Sequence, residues 1–279
     1  MKKIGFIDHY LHEWHAENYP EMIKKYSGGK MEVCFAYGET DNPHPEADSN
    51  AVWAKRKGIE LAGSIEEVIE KSDYVIVLSP DNPERHEELC KLPTACGKRV
   101  YIDKTFAPDK ETAIKIFERA EKYSTPCYSS SALNFAAEYQ EIDRSRIETV
   151  GTWGEGAFTN YAIHQIEPIV SLMGIGAKRV MFMGSETFPS LYIEYADGRH
   201  AQLACYPRRT PFMTNVGYHG GTTEHLEIKT GYFDNFIKAL VRFFETGEIP
   251  VSHEQTIEVI AIREAGMKAM LTPFEWVNV

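Results

Sequence analysis

Apolar and polar positions in the first half of the chain fall into two alternating textures. Short runs of nearly continuous apolar residues, Lys3–Ile7, Met31–Tyr37, Asp73–Leu78 and Arg99–Ile102, read as strands buried on both faces. Segments of helical spacing lie between them. A helix is expected over Tyr19–Tyr26, closed by Gly28-Gly29. Ser64 and Glu67 have capping-box spacing and open a short helix through Glu70. Another helix is expected around Pro83–Cys96, before the turn Gly97-Lys98. Asp109 is placed to cap Lys110–Tyr123, where Ala113, Ile116, Phe117 and Ala120 share one face. Such alternation implies a parallel sheet with helices on both faces.

The texture changes after about residue 130. Residues 147–158 and 178–229 read as longer strands with turns, and Ala196-Asp197-Gly198 is a strong hairpin signal. Helices are expected around Tyr161–Met173, Tyr232–Glu245 and Glu254–Met270, with Ser252 and Gln255 spaced as a capping box before the last. The expected fold class is therefore α/β. A parallel sheet with covering helices is expected over residues 1–130, and an α+β domain with an open, mainly antiparallel sheet over residues 131–279.

Composition narrows the function classes. A hydrophobic content of 43% in 279 residues supports packed cores rather than disorder. The net charge of −11 argues against nucleic acid as the main partner, since phosphate binding needs clustered Lys and Arg. Cys34, Cys90, Cys96, Cys127 and Cys205 are scattered and odd in number, which points to a reducing compartment. The apolar run after Lys3 ends at Asp8-His9, too short for a secretory core, and no segment approaches the roughly 20 apolar residues of a membrane span. A cytoplasmic protein with no membrane partner is expected.

Several motifs share an order with one known family. Gly97-Lys-Arg-Val-Tyr-Ile-Asp-Lys-Thr-Phe-Ala107 resembles the GKHVxxEKPxA signature of the Gfo/Idh/MocA family, relatives of glucose–fructose oxidoreductase and inositol dehydrogenase. Asp73–Pro80 followed by His86 is similar to that family's DaVxxxTPnxxH segment. Gly156–Gly174 resembles its GGxxxDxGxHxxDxxxxLxG helix, and Tyr232–Met270, with Glu248-Ile-Pro-Val251, its closing segment. The resemblance covers nearly the whole chain. It implies that residues 1–130 form a Rossmann-type dinucleotide-binding domain, and that the chain is an NAD(P)-dependent dehydrogenase acting on a sugar, polyol or related hydroxy compound, assembled as a homo-oligomer through the C-terminal sheet. It also implies that Lys104 lies beside nicotinamide and substrate and that His164 serves as acid/base. The chemistry agrees, because hydride transfer from an alcohol needs a proton acceptor and a cation to steady the alkoxide. A solvated Lys104 and a packed His164 are the plainer alternative.

The chain departs from the family pattern where the cofactor is expected. The GxGxxG turn gives close backbone approach and a helix N-terminus for the pyrophosphate. Here its three glycine positions hold Asp8, Tyr10 and Glu13. Both carboxylates would meet phosphate with like charge. The glutamate and proline of the EKP motif are Asp103 and Thr105. The helix motif carries Asn160, Ala162 and Glu167 in place of aspartate, glycine and aspartate. Around this altered turn the residues expected to face a cofactor are Asp8, Tyr10, Glu39, Pro80, His86 and Asp103. Glu39 or Asp41 stands where an acid often holds the adenosine ribose, though their Pro-rich surroundings also read as a solvated turn.

Two further readings follow from these departures. The lost glycines fit a catalytically inactive member acting as a ligand sensor or partner subunit. His9, His12, Glu13 and His15 with Asp8 form a dense set of potential metal ligands, but their spacing matches no established motif, so a polar histidine-rich turn is the default. His219 and His225 flank Gly220-Gly221 and read as a strand-turn-strand. Arg208-Arg209 offers cations to an anionic ligand or is a solvated basic turn. No GxSxG elbow and no GxxxxGK[ST] loop is present, which disfavours an α/β-hydrolase and a P-loop hydrolase.

Overall fold

Continuous apolar stretches in the first part of the chain become the centre of a parallel sheet. In the computed structural model, which describes residues 1–207 and 209–279, these are β1 (Lys2–Asp8), β2 (Met31–Gly38), β3 (Glu60–Leu61), β4 (Tyr74–Val77), β5 (Val100–Ile102) and β6 (Cys127–Tyr128). Ile4, Phe6 and Ile7 of β1 and Val75, Ile76 and Val77 of β4 are wholly buried, as two-sided burial requires. The strand order is β3-β2-β1-β4-β5-β6, all parallel. The order reverses between β1 and β4, so the crevice beyond their C-terminal ends is the place where such sheets receive ligands.

Five helices connect these strands: α1 (Trp14–Tyr26), α2 (Asn50–Lys57), α3 (Ile65–Lys71), α4 (His86–Cys90) and α5 (Lys110–Lys122). Ser64 and Asp109 cap α3 and α5 from the expected positions. Two expectations change. The helix anticipated over Pro83–Cys96 is broken into 3₁₀ turns on either side of α4, because Pro83 and Pro93 each start a new turn. The first helix begins at Trp14, not Tyr19, because Glu13 caps it and Pro20 is accommodated inside it. Helix α2 and the two-residue strands β3 and β6 were not anticipated.

The second sheet is built from β7 (Ile147–Glu155), β8 (Ala177–Phe182), β9 (Ser190–Tyr195), β10 (His200–Tyr206), β11 (Met213–Tyr218), β12 (Thr223–Glu227) and β13 (Trp276–Asn278). Its order is β12-β11-β7-β10-β9-β8-β13. β7 and β10 run parallel and the other pairs antiparallel. β9 alternates buried and half-buried residues, the mark of a sheet with one covered face. Helices α6 (Phe158–Tyr161) and α7 (Ile163–Met173) follow β7, and α8 (Tyr232–Thr246) and α9 (His253–Ala269) precede β13. α7 packs on β7, and α9 on α7 and β8. The hairpin at Ala196-Asp197-Gly198 joins β9 to β10, with Gly198 at φ +90°.

The chain divides into two compact units: residues 1–130 with 236–252, and residues 131–235 with 253–279. The segment 236–252 joins the parallel-sheet unit through aromatic contacts that no local pattern reveals. Phe236 packs against Tyr19 and Tyr101, Phe243 against Tyr128, and Phe244 stacks on Tyr74 at 4.8 Å. All three phenylalanines are fully buried, each contributing about 1.5–3 kcal/mol of apolar burial. Among the described residues, no helix is long and apolar enough to cross a membrane.

Candidate functional site

In the parallel-sheet unit, three segments leave the C-terminal ends of β1, β4 and β5, where the sheet's crevice lies. The first is the β1–α1 turn, residues 8–13. Asp8, the last residue of β1, is 1% exposed, and neither carboxyl oxygen has a hydrogen-bond partner. Its pKa is raised well above the usual 3.8, first by burial and then by the neighbouring Glu13 carboxylate, with Asp103 adding to it. The amides of His9 and Tyr10 pull the other way without reaching full hydrogen-bond geometry. Tyr10 is half-buried, and burial followed by Asp81 and Asp8 raises its pKa.

Glu13 turns back on its own helix. Its carboxylate accepts hydrogen bonds from the amides of His15, at 2.7 Å, and Ala16. It therefore satisfies donors that a helix N-terminus leaves open, and its charge sits at the positive end of the helix dipole. His15 Nδ1 lies 2.9 Å from the same carboxylate and 3.7 Å from Asp103 Oδ2. Burial alone would lower the His15 pKa, but Asp103 and Glu13 outweigh it and hold the value above 6.5.

The segment after β5 carries the lysine. Asp103 is 1% exposed, and its Oδ1 accepts the Tyr101 hydroxyl at 2.7 Å. Lys104 is 8% exposed and donates to the Pro80 carbonyl at 3.4 Å, in the loop that leaves β4. This unit thus brings Asp8, Glu13, His15, Asp103 and Lys104 into one buried cluster, with Pro80 at its edge.

Glu39 and His86 are committed elsewhere. Glu39 pairs with both Nε (2.9 Å) and Nη2 of Arg85, and accepts from His9 Nδ1 at 2.8 Å. Arg85 holds its carboxyl below the usual range. His86 is wholly buried, with Nε2 2.6 Å from the Leu78 carbonyl and Nδ1 2.9 Å from that of Phe106. It stitches the β4 and β5 loops together and has no surface for a ligand. Burial lowers its pKa.

Asn50, at the first turn of α2, was not singled out from the sequence. Its Oδ1 accepts the Leu11 amide at 2.9 Å, and its Nδ2 donates to the Thr40 carbonyl at 2.7 Å. It packs on Gly38, where an added Cβ would fall 2.4 Å from Nδ2. Only the partner amide 39 residues away reveals its role.

The histidines of the turn do not converge on a metal. His9 faces Glu39, His12 accepts from the Asp48 amide and His15 faces Glu13. Among the described residues, no group of three His, Cys, Asp or Glu side chains is arranged to hold a metal ion. In the sequence's other histidine pair, His225 Nδ1 lies 2.5 Å from Asn215 Oδ1 across the β11–β12 hairpin.

In the second unit, His164 opens α7. It is half-buried, in edge contacts with Tyr161 at 5.4 Å and Phe212 at 6.2 Å. Glu167, one turn on, accepts the Ser131 amide at 2.7 Å and is 8% exposed. That bond ties α7 to the start of its own unit. An open cleft of about 680 Å³ lies beside α6, bordered by Glu155, Asn160, Tyr161, Glu186 and Tyr206. Arg208 lies outside the described residues, and the Arg209 amide donates to Glu155 at 2.7 Å.

No protein-family model and no curated protein matches this chain. Solved structures do match over its length. GenD2 from gentamicin A biosynthesis, solved in complex with NAD, superposes with a TM-score of 0.78 at 13% identity, covering 100% of this chain and 97% of that one. The UDP-N-acetylglucosamine 3-dehydrogenase GnnA from Acidithiobacillus ferrooxidans gives 0.76 at 12% identity, over 98% and 97%. An NAD binding oxidoreductase from Klebsiella pneumoniae gives 0.76 at 14% identity, over 100% and 99%. The chain therefore has the fold of these dehydrogenases and oxidoreductases. At such identities the likeness is one of fold.

The cofactor of that fold can be tested against the residues present. A dinucleotide in the usual pose needs free donors at the start of α1, close approach at the end of β1 and an acid for the ribose. Here Glu13 takes the helix amides, Asp8 fills the strand end and Arg85 takes Glu39. The residues do not fit NAD(P) in that pose.

Proposed function

We propose that this chain is a cytoplasmic oxidoreductase of the Gfo/Idh/MocA type that acts on a sugar, polyol or related hydroxy compound. The observation that carries the reading is Lys104, held nearly buried where β5 ends in a fold shared from end to end with dehydrogenases. There a lysine ammonium anchors the reacting oxygen and steadies the charge that develops on it. His164 exchanges the hydroxyl proton, a role that suits a half-buried imidazole. NAD(P) is the redox group that the likeness to dehydrogenases supports, and it would need a seat other than the β1–α1 turn. A homo-oligomer is proposed through the open face of the seven-stranded sheet, where Trp153, Tyr192 and Met213 are only half-buried.

The test is a screen of sugars and polyols for turnover with either nicotinamide, followed by Lys104→Ala and His164→Ala. Each variant should lose at least about a hundredfold in kcat, the lower range for a general acid or base. Unchanged rates in both would put the chemistry elsewhere. The self-capped turn favours a second reading, a ligand sensor or partner subunit that performs no hydride transfer. In that case a sugar or polyol raises the melting temperature, and no turnover accompanies it.

A further inference from the structure

The β1–α1 turn offers a ligand fewer donors than its fold position implies. The Leu11 amide is given to Asn50, and the His15 and Ala16 amides to Glu13. The Glu17 amide closes the first helical turn on the Glu13 carbonyl at 3.0 Å. Helix N-termini attract anions, and this one already holds an anion supplied by the chain. We propose that the Glu13 carboxylate is a resident substitute for a dinucleotide phosphate. With buried Asp8 closing the end of β1, it excludes NAD(H) and NADP(H) pyrophosphates from the turn.

Three independent features point the same way. A pyrophosphate at this turn would meet the carboxylates of Glu13 and Asp103 beside the buried Asp8 side chain, while His15 is already paired and Lys104 already bonded. The adenosine ribose would have to displace Arg85 and His9 from Glu39. Asn50 pins the turn to the end of β2 through Leu11 and Thr40, so the backbone cannot open without breaking both bonds. The exclusion is independent of which small molecule the protein acts on, and it stands whether or not Lys104 and His164 turn over a sugar.

The experiment is calorimetric titration of the full chain with NAD⁺, NADH, NADP⁺ and NADPH, beside a variant that restores glycine at all three positions, Asp8→Gly, Tyr10→Gly and Glu13→Gly. Since a cofactor seated elsewhere would bind both proteins alike, the reading is their difference: the folded variant should bind cofactor roughly tenfold or more tighter than the wild type. Micromolar binding by the wild type that the triple variant weakens overturns the proposal, since the cofactor then sits on this turn. So does a variant of native circular dichroism that gains nothing. Should the triple variant fail to fold, Glu13→Gln keeps a capping oxygen but loses the charge. Inorganic pyrophosphate should then raise the melting temperature of Glu13→Gln and leave that of the wild type unmoved. Equal shifts in the two proteins overturn the proposal.

Discussion

The imidazole of His15 stands between two carboxylates, 2.9 Å from Glu13 and 3.7 Å from Asp103, within a cluster that burial has nearly closed to water. The cluster links the start of α1 to the end of β5, so the charge on one ring couples two of the three segments that shape the crevice.

A pH dependence follows from this ring. Burial opposes its charged form, but the two carboxylates prevail and raise its folded-state pKa above 6.5. The stabilisation is then fully present below pH 6.5 and is lost as pH rises through the folded-state value. His15→Gln is expected to cost about 1–3 kcal/mol at pH 6, the range for a charged hydrogen bond in a buried setting. The cost should shrink by pH 9. Urea denaturation of both proteins across that range checks it, and a pH-independent difference would mean the ring acts through packing alone.

Asp8 gives the opposite substitution effect. Its folded-state pKa lies well above 3.8, chiefly through burial, so the folded chain holds this proton more tightly than the unfolded one. Its contribution is complete below pH 3.8 and declines as pH rises towards the folded-state value. Asp8→Asn removes the titration. The variant should match the wild type near pH 4 and exceed it by about 1–3 kcal/mol near pH 7.5, the penalty for an unpaired buried group. A variant weaker than the wild type at both pH values would show that Asp8 has a partner in solution.

The parallel sheet was legible because two-sided burial leaves unbroken apolar runs, and Asp73–Leu78 contains all of β4. The loss of the glycine turn was equally plain from Asp8, Tyr10 and Glu13. What replaced it was not. The sequence reads as a helix only over Tyr19–Tyr26, whereas the actual start depends on the Glu13 side chain folding back. Asn50 has no local signature, since its partners are Leu11 and Thr40. His86 reads as a cofactor-loop residue, and only its two carbonyl contacts reveal a structural stitch. The aromatic residues of 236–252 predict a helix but carry no information about which sheet it covers. Two-residue strands such as β3 are too short for any period to register.

The contact between Gly38 and Asn50 can be tested by a double-mutant cycle. Asn50 is 7% exposed, and its amide is fixed at both ends, by the Leu11 amide and the Thr40 carbonyl. A Cβ at residue 38 would lie 2.4 Å from Nδ2 and 2.6 Å from Cγ, so Gly38→Ala must drive this side chain out of place. Gly38→Ala alone should cost about 1–3 kcal/mol as an overpacked site. Asn50→Ala alone should cost about 2–3 kcal/mol, mainly from the stranded Leu11 amide. Once Asn50 is removed, the alanine at 38 has room, so the double variant should cost at least about 1 kcal/mol less than the sum. Strict additivity in urea denaturation would mean that Asn50 moves aside at little cost. The turn would then be looser than its two hydrogen bonds require, and hydrogen exchange at the Leu11 amide would show this as weak protection in the wild type.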